Sequence, residues 1–255
     1  MMKHLVTYIF ISALAAVLAA CGDRVAETSP SAPHIFPDYA GVTVPVNIAP
    51  LNFRLDGFDG RARARLEAGA EHITVSTRDG AFRLPQRGWR RLCSAAVAAG
   101  GDISVTVEAR DGDGVWRRYA PFVIRVSEDE IDPYMVYRLI EPGYETWGEM
   151  GIYQRCLETF REEPVIETSS AGYGCVNCHT FRSQDPDMML FHMRQTHAGT
   201  MLLREGRIER LNTATDSTIS STVYPSWHPS GRYIAFSVNA TKLITLPDAV
   251  SYTHL

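Results

Sequence analysis

Between Val42 and Val126 several segments alternate apolar and polar side chains, and this pattern constrains the chain more than any other feature. It is clearest in Ile73–Ser76 and in Ile103–Glu108. Strands with one buried side and one solvent-facing side have this two-residue period. We therefore predict a mainly β fold with a helical insert, opening with an antiparallel β-sandwich over residues 38–127.

Turn signals divide this predicted sandwich. Residues 78–80 (Arg-Asp-Gly) and 111–114 (Asp-Gly-Asp-Gly) tolerate positive φ, so each is expected to close a hairpin. The second hairpin would join 103–110 to 115–126. The alanine-rich stretch 88–99, followed by two glycines, predicts a short helix inserted among the strands.

Over residues 128–199 the composition shifts to aromatic and acidic residues with apolar groups at helical spacing. Pro142 and the glycine after it divide the stretch. A further helix is predicted over 186–198, because Asp185 can cap it and Gly199 can end it. These features predict a short helical segment between two β regions.

Beyond residue 199 the period returns to two. Residues 201–204 and 208–211 predict a hairpin that turns at 205–207, and 224–237 predicts a strand, a Pro/Gly turn and a second strand. One such unit cannot bury both of its faces alone. We therefore expect residues 200–255 to hold the first blade of a repeat array, truncated soon after it.

The N-terminus has the plan of a secretory signal. Lys3 precedes the apolar run Leu5–Ala20, which is short for a membrane span, and small residues stand just before Cys21. We predict a signal peptide over residues 1–20 and, because Ser, Pro and Ala are frequent there, a flexible tether over 21–37.

The residues around Cys21 resemble the lipobox of bacterial lipoproteins. This resemblance implies cleavage before Cys21 and a lipid on its sulfur, with the protein anchored in the cell envelope, in the outer membrane facing the periplasm. An ordinary signal peptide with an incidental cysteine is the alternative. The net charge of −4, without a Lys/Arg-rich stripe, makes nucleic acid an unexpected partner.

Residues 175–179, Cys-Val-Asn-Cys-His, carry the most specific chemical signal. Two thiols three positions apart in one turn can reach the two vinyl groups of a haem, and the adjacent imidazole of His179 falls beneath the iron. Export supports this interpretation, since c-type haem is attached outside the bacterial cytoplasm. A disulfide, a thiol redox pair or half of a zinc site remain alternatives for Cys175 and Cys178.

The second axial ligand of a haem c iron is open at this level. His192 and His197 are the first candidates, and the choice matters because methionine raises the potential relative to histidine. The methionines that remain alternatives are Met188, Met189, Met193 and Met201. Whether Cys93 and Cys156 pair or pack as buried thiols is also open.

The stretch Pro225–Ser237 resembles the WD40-like repeat of TolB-type propellers. It matches the repeat at Trp227, Pro229, Gly231, Ile234, Ala235 and Phe236. It departs at His228 and Ser230, where the family usually has Ser and Asp. The order of lipobox, β-domain, haem motif and repeat resembles Bacteroidetes envelope lipoproteins often labelled cytochrome c biosynthesis or TolB-like proteins. Such propellers are interaction platforms.

Three functions follow as hypotheses. The first is a lipoprotein with one covalent haem, acting in electron transfer or redox sensing with a redox partner protein in the envelope. The second is a non-redox lipoprotein that binds a protein or a glycan, with Cys175 and Cys178 in a disulfide. The third is a haem enzyme with an open distal position, although no Ser/His/Asp order, phosphate loop or carboxylate pair marks catalytic residues.

Overall fold

The structure is a computed structural model that describes residues 25–110, 112–140, 150–218 and 222–238. The predicted signal peptide and Cys21 lie outside the described residues. The chain divides into two compact units: the first ends at Pro133 and also contains Cys156–Phe160, and the second contains Tyr134–Arg155 and continues from Arg161. Strands dominate both units, which confirms the mainly β class with a helical insert.

The first unit combines short strands with a helix. Its elements are β1 (Val25–Thr28), β2 (Ile35–Phe36), β3 (Thr43–Pro45), β4 (Phe53–Leu55), β5 (Ala62–Ala68), β6 (Glu71–Thr77), β7 (Ala81–Phe82), α1 (Gln86–Ala98), β8 (Asp102–Arg110), β9 (Trp116–Arg118) and β10 (Phe122–Ser127). The helix falls on the alanine-rich stretch that predicted it.

A seven-stranded sheet forms the frame of the first unit. The long strand β8 pairs antiparallel with β5 on one side and with β9 and β10 on the other, and β5 continues to β6. The short strands β1 and β3 pair parallel to β9 and β10. This pairing confirms the predicted hairpin that returns from β8 through β9 and β10.

The core of the first unit lies on one face of this sheet. Leu66 of β5 and Val105 of β8 are buried there with Trp89 of α1. The Trp89 indole donates a hydrogen bond to the Ile48 carbonyl at 3.0 Å, so its polar edge is satisfied in the core. The three-stranded sheet β2-β4-β7 covers the rest of the face. The second layer of the predicted sandwich is therefore a helix beside a small sheet.

Two local predictions in the first unit are wrong. The tether predicted over 21–37 is not free of structure in its described part, because β1 pairs with β9 and β2 with β4. Ile35 explains part of this, since its apolar side chain is buried in the core. The turn at 78–80 does not close a hairpin, because β7 pairs with β4 and not with β6.

The second unit is built from consecutive strands. Its elements are β11 (Tyr134–Ile140), β12 (Met150–Cys156), β13 (Glu162–Glu167), β14 (Val176–Phe181), β15 (Met188–Met193), a 3-10 turn (Gln195–His197), β16 (Gly199–Arg204), β17 (Arg207–Leu211), β18 (Thr222–Trp227) and β19 (Ile234–Val238). They form a three-stranded sheet β11-β12-β13, a four-stranded sheet β14-β15-β16-β17 and a two-stranded sheet β18-β19.

The four-stranded sheet is an antiparallel meander with both faces covered. On one face, Met189 and Phe191 of β15 pack with Ile152 of β12 and Val176 of β14. Strand β18 lies against β14, β15 and β16. The hairpins predicted over 201–211 and 224–237 are confirmed by the pairing of β16 with β17 and of β18 with β19.

The helices predicted within 128–199 are wrong. The described residues of that range form strands, including Met188–Met193 where a helix was expected over 186–198. The reason is that β15 is buried on both faces, and a short apolar run of this kind has no period that separates a strand from a helix. The predicted boundary at 199/200 is also wrong, because β15 and β16 pair within one sheet.

Candidate functional site

The Cys-Val-Asn-Cys-His motif lies at a β-bulge, not in a helical turn. Asn177 of β14 pairs with His192 of β15, and regular pairing resumes only at Thr180, which pairs with Leu190. Cys178 and His179 together therefore face the one residue between them on β15, Phe191. Two residues opposite one define a bulge, which re-aims side chains at functional sites.

Cys178 sits at the turning point of this bulge. Its φ is +54°, a conformation that non-glycine residues rarely adopt. The side chain of the preceding Asn177 accepts a hydrogen bond from the Cys178 N–H at 2.8 Å. Asn177 thus supplies a local partner to an amide that the bulge removes from the regular ladder.

A tight chain crossing holds the first cysteine of the motif. The Arg194 N–H donates to the Cys175 carbonyl at 3.0 Å, and the Cys175 N–H donates to the side-chain oxygen of Gln195 at 3.3 Å. A Cβ on Gly174 would lie 2.4 Å from the Arg194 carbonyl oxygen. Only glycine permits this close approach, so Gly174 fixes where Cys175 leaves the loop.

Both thiols of the motif are free and half-buried. Burial raises the pKa of the Cys175 thiol, although the nearby arginines Arg194 and Arg138 act in the opposite direction. Thiols that act in disulfide exchange have a lowered pKa. The surroundings of Cys175 are therefore those of a protonated thiol, and they do not favour the thiol redox alternative.

The His179 imidazole is half-buried and only weakly held. Its Nε2 lies 3.4 Å from the Val136 carbonyl oxygen of β11, at the long limit of a hydrogen bond. The ring of Phe181 meets it edge to face, with the ring centroids 6.3 Å apart. Turning the imidazole toward a ligand therefore gives up one weak hydrogen bond and no ion pair.

His192 does not lie on the side of the sheet where His179 contacts β11. It alternates with Phe191 and Met193 of the packed core, and its Nδ1 lies 3.4 Å from the hydroxyl of Thr200, directly opposite on β16. His192 is buried, and burial lowers its pKa, with a smaller contribution from Arg194. The sheet itself separates this imidazole from that of His179.

His197 lies in the 3-10 turn whose first residue, Gln195, contacts the first cysteine. It ends the 3-10 turn after β15, and its side chain is exposed. The turn touches the loop before the motif, where the Thr196 hydroxyl donates to the Gly172 carbonyl at 3.3 Å. Of the alternative methionines, Met189, Met193 and Met201 are buried in the core and Met188 is half-buried.

Cys93 and Cys156 are also free thiols and do not form a disulfide in this structure. Burial within α1 raises the pKa of the Cys93 thiol to about 12. Among the described residues, no group of three or more His, Cys, Asp or Glu side chains is arranged to hold a metal ion by itself. Within the same residues, no helix is long and apolar enough to cross a membrane.

The donor set fits a covalently attached haem. It supplies two free thiols and one imidazole on a short segment whose side chains are partly accessible. Sequence reasoning missed the positioning role of Gly174 and of Asn177. The sequence shows a glycine before Cys175. It does not show that the backbone of Arg194, which follows β15, passes close enough to require one.

Comparisons with known proteins add little. No family model matches the chain, and no curated protein sequence matches it. One solved structure, a Ca²⁺-stabilized adhesin with which an Antarctic bacterium binds ice, is similar at a TM-score of 0.27 and 10% sequence identity. The match covers 83% of this chain and 48% of the adhesin chain, so it spans about half of that protein. A similarity this weak carries no argument.

Proposed function

We propose that this protein is a lipoprotein of the bacterial cell envelope that carries one haem c on Cys175, Cys178 and His179 and acts in electron transfer or redox sensing. The observation that carries the proposal is the motif itself: two free thiols and a weakly held imidazole grouped at one β-bulge. Haem, when bound, supplies a one-electron ferrous/ferric couple.

The residues around the motif have separate tasks in this proposal. Cys175 and Cys178 would hold the haem through thioether bonds, each S–H adding across one vinyl group, and the bulge at Cys178 turns its side chain away from the position that a regular strand would give it. His179 would hold the iron, and its only weak contact with the Val136 carbonyl leaves the imidazole available for that role. Gly174 and Asn177 keep the two cysteine backbones in place through their contacts with Arg194 and with the Cys178 amide.

The positions of the two histidines favour His197 over His192 as the residue that would supply a second iron ligand. His192 is buried on the far side of the sheet and is engaged with Thr200, so it would have to leave the core to reach the iron. His197 is exposed on a turn that contacts the loop before Cys175. A short movement of this turn is a smaller change than unpacking β15.

The second unit supports the proposed docking platform. A propeller blade is a four-stranded antiparallel sheet, and β14-β15-β16-β17 has this strand number and order. The proposed array then begins before residue 200, and the haem motif lies on the first strand of a blade. A redox partner docking on such a platform would meet the partly exposed motif.

Expression with a c-type haem maturation system tests the proposal. We expect a covalent haem in the pyridine haemochrome spectrum and a protein mass increased by one haem. The variant Cys175→Ala with Cys178→Ala should carry none, while Cys156→Ala, which removes another half-buried free thiol, should keep it. Wild-type protein without haem, with Cys175 and Cys178 both open to alkylation, would reject the proposal, and a disulfide between them would favour the binding-lipoprotein alternative.

Two further variants test the second axial ligand. His197→Gln should change the spin state of the bound iron, and His192→Gln should leave it unchanged. If His192→Gln alone changes the spin state, β15 rearranges when haem is attached. If neither does, the ligand is a methionine or the position is open.

The lipid anchor needs its own experiment, because Cys21 lies outside the described residues. Cells that express the wild-type protein should incorporate labelled palmitate into it and retain it in the membrane fraction. Cys21→Ser should lose both properties. Palmitate incorporation that persists in Cys21→Ser would exclude the predicted anchor.

A further inference from the structure

Among the described residues of the first unit, the outer edge of β6 is the longest strand edge without a paired neighbour. Within the described residues, β6 pairs with β5 alone, over its whole length from Glu71 to Thr77 and without a bulge. Its outward N–H and C=O groups have no backbone partner in that part of the chain. Proteins normally protect such edges with charged residues, proline, a bulge or a covering element. Strand β6 has no lysine, proline or bulge; α1 contacts it at the buried Ile73, and Arg91 of α1 lies 3.6 Å from Glu71.

An open hollow of about 520 Å³ lies beside the end of this edge. It is lined by Val75, Ser76 and Thr77 of β6 and by the turn that follows. Ser76 is exposed, and Val75 and Thr77 are half-buried. The hollow therefore leaves space for a bound segment beside Val75–Thr77, the residues of β6 whose outward main-chain groups have no backbone partner among the described residues.

Two arginines give this hollow its charge. Arg78 is exposed at the end of β6, and the Arg83 side chain on the far side of the turn is 73% exposed. Asp79 between them accepts hydrogen bonds from the Thr77 hydroxyl and from the Ala81 N–H, and it forms an exposed ion pair with Arg83 at 3.5 Å, which leaves Arg78 as the excess charge. The hollow thus presents a net positive charge at one end of an unpaired strand.

We propose that the β6 edge binds an extended acidic segment of a partner protein by strand addition. The segment would pair its main chain with Glu71–Thr77 and place a carboxylate near Arg78 and Arg83. Main-chain hydrogen bonds supply affinity in this mode of recognition, and the side chains at the end of the edge supply specificity. The site lies in the first unit, apart from the haem motif, and does not depend on the proposed function.

A second copy of this chain fits the edge less well. If two β6 strands paired antiparallel with Thr74 opposite Thr74 of the second copy, Arg78 would lie opposite Ala70, which is not acidic. The two arginines of each copy would then remain without a counter-charge from the added strand. An acidic peptide from a partner satisfies both the edge and the arginines.

Fluorescence anisotropy of the full chain with a labelled peptide of alternating Thr, Val and Glu tests the charge. We expect binding of this peptide and at least about tenfold weaker binding when Lys replaces Glu. Arg78→Glu combined with Arg83→Glu should reverse this preference. The control Arg87→Glu combined with Arg125→Glu makes the same charge change at two exposed positions outside the lining of the hollow, and it should not reverse the preference.

Backbone methylation tests the strand pairing without altering the protein. A strand presents alternate N–H groups to its neighbour, so methylating one alternate set of peptide amides should weaken binding at least about tenfold and methylating the other set should not. Amide exchange should slow in β6 when peptide binds. Equal binding of both methylated peptides, no binding at all, or slow β6 exchange in a peptide-free dimer would each overturn the proposal.

Discussion

Strands β8 and β15 are both central strands, but they differ in how many of their faces are buried. In β8, buried Ile103 and Val105 alternate with exposed Asp102 and Ser104. In β15, every residue from Met189 to Met193 is buried. One face of the first sheet meets its core and the other carries polar side chains, whereas the four-stranded sheet of the second unit is covered on both faces.

The difference affects how a buried polar side chain in each sheet finds a hydrogen-bond partner. Glu108 of β8 is buried, but it is bonded by Arg63 and Arg118, whose side chains on the polar face of the sheet are partly exposed to solvent. His192 of β15 is also buried, and its contact is with the hydroxyl of Thr200 on the neighbouring strand. The buried imidazole of His192 therefore takes its partner from within the sheet, since an unpaired buried group costs free energy.

Asparagine substitutions at adjacent positions of each strand test this contrast, and they should have the largest effect on stability. Leu190→Asn and Phe191→Asn should each destabilise the second unit by at least about 3 kcal/mol, because both faces of β15 are packed. In β8, Val105→Asn should cost a similar amount and Ser104→Asn less than about 0.5 kcal/mol. Amide exchange in each strand measures the local free energy of opening. Tolerance of either substitution in β15 would show that one of its faces is open.

A smaller effect is expected at the crossing before the haem motif. Gly174→Ala would place its Cβ 2.4 Å from the Arg194 carbonyl oxygen, so the loop must move. We expect a loss of about 2 kcal/mol in the opening free energy of β14 and a lower yield of attached haem. Gly112→Ala, where a Cβ meets nothing within 4 Å, is the control and should change neither quantity. Normal haem yield in Gly174→Ala would remove Gly174 from the site.

The polar face of the first sheet gives a prediction that depends on pH. Burial by itself raises the pKa of Glu108, but hydrogen bonds from Arg63 and Arg118 outweigh burial and hold the pKa below its ordinary value of 4.5. A carboxylate with a lowered folded-state pKa binds fewer protons than in the unfolded chain. Its stabilisation is therefore present above pH 4.5 and is lost as the pH falls through the folded pKa.

Glu108→Gln isolates this contribution. We expect the variant to lose about 1.5 kcal/mol near neutral pH, the size of a hydrogen bond to a charged group, and to lose less than the wild type on acidification. Urea unfolding of the first unit at several pH values measures both effects. Glu67→Gln, an exposed carboxylate paired with Arg65 on the same face, is the control and should cost less. Parallel pH curves for wild type and Glu108→Gln would contradict the assignment.

The same contrast explains which parts of the structure the sequence predicts. The one-sided strands of the first unit and the hairpins β16-β17 and β18-β19 follow from alternation and turn residues, and α1 follows from its alanines. Strand β15 does not, because burial on both faces removes the alternation. The proposed haem ligands Cys175, Cys178 and His179 are predicted from spacing alone. The bulge beneath them depends on pairing with β15, which no local pattern contains.

The smallest effect is expected at the outer strand of the four-stranded sheet. Residues Arg207–Arg210 of β17 are exposed. Arg204 of β16 forms an ion pair with Glu209 at 3.1 Å, and both side chains are about half exposed. Arg204→Ala should therefore cost less than about 0.5 kcal/mol in the opening free energy of β16, and less still in high salt. A loss above about 1 kcal/mol would mean that this edge depends on its ion pair. A small loss would show that an exposed strand of the same sheet tolerates substitution. The sensitivity of β15 to substitution would then be due to burial of both of its faces and not to its location in the second unit.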